Sequence, residues 1–298
     1  MDLKSELAKI RRSLKNLGKS PIPYIAPALI FIIAFSIYPL VYSLYVSFHE
    51  YDRVTGTLRF VGIDNYIILL RTPLFFRALI NTFSLVAAAV TIEFLLGFSM
   101  ALLLWGEVKG RAIFRTAFML PMIITPVVVA IMWKFILWPA WGVGSYVLGF
   151  FGIPTIDWFS PQLAIVSILI TEVWQWTPFV FLIILSGLVA LPVQPFEAAR
   201  IDGARRWQTF RNITLPYLMP IITVALLFRL MDALKIFDPV YVLTAGGPGT
   251  STYTLAYFIY QEYMAFSHPG LGSAASYIML IIVVIVVNIY FRYVYKRT

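Results

Sequence analysis

Apolar runs long enough to cross a bilayer recur six times along this chain, at about residues 22–48, 79–105, 113–138, 162–190, 214–237 and 273–295. Each supplies the roughly 20 apolar residues that a spanning helix needs, and in hydrocarbon a helix keeps its backbone polar groups bonded within itself. The pattern therefore predicts an all-α membrane protein of six transmembrane helices. The polar segment between the fourth and fifth runs is of another kind: Glu197-Ala198-Ala199-Arg200-Ile201-Asp202-Gly203-Ala204-Arg205-Arg206-Trp207, continuing to Phe210, Ile213, Leu215 and Pro216. It is charged and helix-prone up to Gly203, and a loop that only joins two spans needs just a few turn residues. This one reads as a docking element. A third pattern precedes the first run, where Leu3, Leu7, Ile10, Leu14 and Leu17 recur at helical spacing with Lys and Arg between them. It predicts a basic amphipathic helix lying on the membrane surface.

Composition reinforces the class. Of 298 residues, 60% are hydrophobic and 12% charged, with a mean hydropathy of +0.85, whereas a soluble domain carries about 25% charged residues. Too few polar groups exist to cover a water-facing surface, so the chain is a multi-pass protein of the cell membrane. With no cysteine, disulfides, thiol catalysis and Cys-ligated metals are excluded. The net charge of +9 invites a nucleic-acid partner, but the placement of the charges argues against one. With the amino terminus inside, sixteen Lys and Arg fall on cytoplasmic segments and four (Arg53, Arg59, Arg71 and Arg77) outside. That asymmetry predicts both termini in the cytoplasm and binding to anionic lipid. The first run is too long for a signal-peptide core and no small-x-small site follows it, which predicts an uncleaved helix. The chain then divides into a tail over 1–20, a first helix with its extracytoplasmic loop over 21–78, and a helical body over 79–298. The cytoplasmic loop of that body covers about 192–214.

Several chemistries fall away. Gly18-Lys19-Ser20 imitates the end of a phosphate-binding loop, but Ser13 stands where the first glycine is required and no strand precedes it. The chain thus has no ATPase of its own. His49 and His268 are far apart in sequence and suggest neither a metal site nor a catalytic dyad. Gly246-Gly247-Pro248-Gly249 reads as a turn. No nucleophile–base pair points to an enzyme. A stand-alone channel or secondary transporter would show inverted repeats with interrupted helices, and it leaves 197–207 unexplained.

Ionisable residues within spans are expensive and usually face a cavity or a partner. Here they are Glu93, Lys134, Glu172, Arg229, Asp232 and Lys235. Glu172, Gln175, Trp176 and Phe179 share one helix face at i, i+3, i+4 and i+7. Ion pairing of Arg229 with Glu172 or with Asp232, the aromatics facing lipid, is one reading. Lys134 and Lys235 read as snorkelling towards the outer edge.

The polar segment resembles the EAA loop of ABC transporter permeases, E-A-A-x-x-D-G-A followed by a hydrophobic residue and Leu-Pro. Glu197, Ala198, Ala199, Asp202, Gly203, Ala204 and Pro216 all stand in register. Further stretches resemble the carbohydrate-type branch: Phe60 to Tyr66, Asn81-Thr82, Phe114-Arg115-Thr116, Leu120-Pro121, Phe237 to Gly249, and Leu271 to Ala275. The run from Leu226 to Gly247 is most similar to permeases of the maltose and trehalose type. The resemblance implies the inner-membrane subunit of a binding-protein-dependent, ATP-driven sugar importer. Its implied partners are a second homologous permease, two ATP-binding subunits and an extracytoplasmic sugar-binding protein. ATP and Mg are used by the partner ATPase, and no cofactor is implied on this chain. A permease for another solute, such as glycerol phosphate, is the alternative. The family also implies that Glu197, Ala198, Ala199, Asp202, Gly203 and Ala204 couple to the ATPase. An acid in a first helical turn is favoured by the helix dipole, alanines allow close approach, and a glycine lets the chain bend. The implied substrate path runs along Glu172, Gln175, Trp176, Phe179, Arg229 and Asp232, whose polar groups would bind hydroxyls while the aromatic faces stack on sugar rings.

Overall fold

The computed structural model describes residues 22–52, 54–106 and 110–294; the surface helix expected over 1–20 lies outside them. The architecture is helical. The first span, α1 (Tyr24–Ser47), contains a π-helical stretch at Ile33–Ile37. A two-stranded antiparallel hairpin follows, β1 (His49–Asp52) against β2 (Thr57–Phe60), with His49 opposite Phe60. The short helix α2 (Asp64–Arg71) leads into α3 (Pro73–Trp105), 33 residues long. It begins six residues before the predicted run, because Thr72 is extended and Pro73 sits at the start of the helix, where its fixed φ is suited and its missing N–H is not needed.

The third predicted span, 113–138, is not one helix. It is α4 (Arg111–Ile123) and α5 (Pro126–Leu137), bent by 98° at the break. Ile124 and Thr125 are extended, with ψ of 138° and 141°; for Thr125 this is the conformation that the following Pro126 imposes. Among the described residues five helices are therefore long and apolar enough to cross a membrane, or six if the bent pair counts as one span. The rest of the chain is α6 (Val143–Phe150), α7 (Ala164–Val189), α8 (Gln194–Ile201), α9 (Arg206–Ala233, π-helical at Phe210–Thr214), α10 (Leu255–Tyr260) and α11 (Pro269–Val294).

The centre of the bundle is α3, α7 and α9. Glycines set how near these helices come, as is usual where lipid supplies no hydrophobic push between helices. A Cβ on Gly97 would lie 2.9 Å from the Phe181 nitrogen, and one on Gly187 2.6 Å from Ile221 Cδ1. Gly97→Val is accordingly expected to lower stability by about 1–3 kcal/mol. Thermal unfolding in detergent reads this, and an unchanged midpoint would contradict the α3–α7 contact. Around these contacts lie Ala101, Val180, Phe181, Ile184, Leu218 and Ala225. A second core towards the other end unites Leu85, Ile168, Ala233, Leu234, Val240 and Tyr257. There the segment after α9 is tied to α3. Asn81 Nδ2 donates to the Thr250 and Tyr253 carbonyls at 3.0 and 3.1 Å, and Thr82 Oγ1 accepts from the Leu255 nitrogen at 2.8 Å. By contrast α1 buries none of its most apolar window. It touches α11, where Tyr277 Oη donates to the Leu40 carbonyl at 2.5 Å.

Candidate functional site: a buried ionic hub and a capped helix at one end of the bundle

Three helices converge on Arg229. Its Nε and Nη2 donate to the two carboxylate oxygens of Glu93 on α3, at 2.5 and 2.9 Å. Nη2 also donates to Glu172 Oε1 on α7 at 2.5 Å, and Nη1 to Asp232 Oδ2 on α9 at 3.3 Å. The Trp176 ring covers the guanidinium face, its centroid 5.3 Å from Cζ, within cation–π range. Arg229 is 1% exposed, Glu93 0% and Glu172 3%, whereas the Asp232 side chain is 51% exposed. A guanidinium has five N–H groups, and the bonds named here leave a single one, on Nη1, for anything else. Bidentate, charge-assisted pairing of this kind is what makes burial of an arginine tolerable.

The hub contains both of the pairings that the sequence left as alternatives, Arg229 with Glu172 and Arg229 with Asp232, and adds Glu93. That residue stands 136 positions from Arg229. Its position inside an apolar run was the only sequence signal for it, and such a signal names no partner. Of the predicted α7 face, Glu172 and Trp176 reach the hub. Gln175 turns elsewhere: its Nε2 donates to the Ile124 carbonyl at 3.0 Å, in the break between α4 and α5. Phe179 is half-buried with its ring edge on Trp176, centroids 6.4 Å apart. Lys134 does not extend to solvent as a snorkelling side chain would; it is half-buried and donates to the Val242 carbonyl at 2.7 Å. Lys235 is exposed.

The second constellation is the polar segment. Helix α8 starts at Gln194, three residues before Glu197, with Pro195 in its first turn. Glu197 is exposed within that turn, Ala198 is exposed, Ala199 is 8% exposed and Ala204 is half-buried. Asp202 is the C-cap, and Gly203 takes φ +71°. The Gly203 N–H reaches the Arg200 carbonyl at 3.2 Å and the Ala204 N–H the Ala199 carbonyl at 2.9 Å. Together these close a Schellman turn, which calls for a left-handed residue at this position. The Phe196 ring meets Trp105 at the end of α3, centroids 5.8 Å apart, and Phe98 meets Phe210 at 6.2 Å. Ile201 and Trp207 remain 86% and 67% exposed. From Glu93 to Trp105 helix α3 advances about 18 Å at 1.5 Å per residue, so the two constellations lie on one continuous helix.

A cavity of about 600 Å³ near the hairpin, lined by Glu50, Asp52, Arg59, Asp64 and His268, shares no residue with either. There the Val54 and Thr55 amides donate to Asp52 Oδ1 and hold its carboxyl below the usual range.

The pattern of the family described as "Binding-protein-dependent transport system inner membrane component" matches residues 93–298. The chain belongs to this family. The permease is 34% identical over 269 residues to the trehalose/maltose transport system permease protein MalF of Thermococcus litoralis, covering 90% of this chain and 91% of that one. It is 35% identical over 269 residues to the trehalose transport system permease protein SugA of Mycobacterium tuberculosis, covering 90% and 86%. Its fold matches a chain of a bacterial ABC transporter involved in import of the acidic polysaccharide alginate. There the TM-score is 0.84 at 23% identity, over 96% of this chain and 99% of that one. The permease is therefore a multi-pass inner-membrane component of a binding-protein-dependent transport system.

Proposed function

We propose that this permease forms, with a second homologous permease, the translocation path of an importer for trehalose- or maltose-type di- or oligosaccharides. Both termini lie in the cytoplasm, and α8 docks in a pair of ATP-binding subunits that use ATP and Mg. An extracytoplasmic binding protein delivers the sugar on the opposite side. The observation that carries the substrate class is the similarity, along nearly the whole chain, to permeases named for trehalose and maltose. The exposed, capped helix α8, with Glu197 in its first turn and its aromatic anchor on α3, supports the docking role. A short rigid helix can carry movement of the ATPase pair into the bundle as a body. Trp176 and the half-exposed Asp232 supply a stacking face and an acceptor for hydroxyls, and the hub behind them fixes both. Arg229, Glu172 and Glu93 act as the frame of this wall.

The test is reconstitution. Copurification is expected to recover the second permease and the ATP-binding subunits. In proteoliposomes, labelled trehalose or maltose should enter only with ATP and the loaded binding protein, and the chain alone should move nothing. Uptake by the chain alone would overturn the assignment of partners. ATP-dependent uptake of glycerol phosphate without uptake of either sugar would replace the substrate.

A further inference from the structure

Beyond Asp232, the segment that follows α9 builds a compact aromatic surface. Phe237 stacks on Tyr241, with centroids 5.4 Å apart and planes at 20°, and packs on Tyr260 at 5.1 Å. Tyr241 and Tyr260 meet edge to face at 5.3 Å. Beneath them Tyr257 is buried, within 6.4 Å of the Phe237 and Tyr241 rings, and Gln261 Nε2 donates to its hydroxyl at 2.5 Å. Two ties hold this platform still: Lys134 Nζ on the Val242 carbonyl, and Thr254 Oγ1 on the Ile236 carbonyl at 3.2 Å.

Tyr241 is nevertheless 45% exposed, with Phe237 and Tyr260 half-buried beside it. Rings serving only the core would be covered. A surface serving only lipid would gain nothing from clustered phenols. The neighbouring Tyr241 phenol raises the Tyr260 phenol above its ordinary range. A face of flat rings edged by hydroxyls is what a pyranose requires. Its axial C–H groups pack on the ring, and its equatorial hydroxyls need donors and acceptors at the rim. The charged neighbours Asp232 and Lys235 are exposed only a few residues before Phe237.

We propose that Phe237, Tyr241 and Tyr260 form an outer sugar subsite that stacks one pyranose ring before it reaches Trp176 and Asp232. This rests on the sugar-importer reading and extends it by an acceptor position near the extracytoplasmic mouth.

The test uses the full complex with its binding protein in proteoliposomes, with labelled trehalose and maltose. It reads sugar moved per ATP hydrolysed, which a defect in assembly alone does not change. Tyr241→Leu keeps apolar bulk and removes the ring face; it should lower that ratio about three- to tenfold, the range expected for one lost aromatic contact. Tyr241→Phe and Tyr241→Trp should restore it. Tyr241→Ala should match Tyr241→Leu, and if it fails to assemble the leucine variant decides. A wild-type ratio in Tyr241→Leu, or an equal loss in Tyr241→Phe, overturns the stacking subsite. A wild-type complex that hydrolyses ATP but imports neither sugar removes the sugar reading itself, and the subsite with it.

Discussion

Arg229→Met should deplete the permease from the membrane. Without the guanidinium, Glu93 and Glu172 face each other in a dry interface between α3, α7 and α9, and breaking a buried ion pair by removing one partner costs about 3–5 kcal/mol. Removing Glu172 alone is milder, because Glu93 still engages Arg229 through two oxygens. The informative experiment is rescue. Glu172→Gln with Arg229→Met still strands Glu93, so membrane levels should stay low. Adding Glu93→Gln neutralises the interior and should bring the protein back, while Asp232 stays hydrated at the edge. Immunoblotting of membranes followed by size-exclusion chromatography measures this. If Arg229→Met accumulates normally and loses only sugar uptake, the guanidinium is a sugar ligand and the frame reading is wrong.

Gly203→Pro should abolish sugar-stimulated ATP hydrolysis while leaving the bundle folded. The position needs φ of +71° and an N–H for Arg200; proline holds φ near −65° and has no N–H. It also disfavours the helical conformation of the preceding residue, which Asp202 adopts here. The turn from α8 into α9 cannot close, so α8 loses its orientation. Gly203→Ala should lose less, since only the left-handed backbone is strained, at a cost of about 1–2 kcal/mol. Glu197→Ala leaves the fold intact because the side chain is exposed, and it should reduce ATPase stimulation through lost docking alone. Thermal unfolding separates the two mechanisms, with Gly203→Pro altering the end of the bundle that carries α8. Wild-type stimulation in Gly203→Pro would show that this helix does not carry the coupling.

Much of this molecule was legible along the chain because bilayer hydrocarbon imposes a one-dimensional code. Apolar length predicts spans, and a short polar segment between two of them shows itself as a place where the chain meets water. The turn at Gly203 was equally local, since only glycine takes its left-handed φ freely. The single helix predicted over 113–138 failed for a reason also local in origin but invisible to hydropathy. A hydropathy average passes over a single proline in a long apolar run, and at Pro126 α5 turns by 98° from α4. Gln175, placed on the path by the family resemblance, donates to the Ile124 carbonyl at this break.

The hub lay further from reach. Composition identified Glu93, Glu172, Arg229 and Asp232 as costly residues that need partners. Which acid meets which base depends on the rotation of α3 against α7 and α9, set in turn by close contact at Gly97 and Gly187. No sequence period encodes that rotation. The sequence by itself determined the membrane class, the number of apolar runs and the location of the polar segment between the fourth and fifth of them, because these follow from free energies of transfer and local backbone geometry. Only the tertiary structure decided the three-helix ionic hub and the aromatic platform beyond Asp232, because each depends on packing between elements distant along the chain, and the bend of the third span, local in cause, showed itself only there.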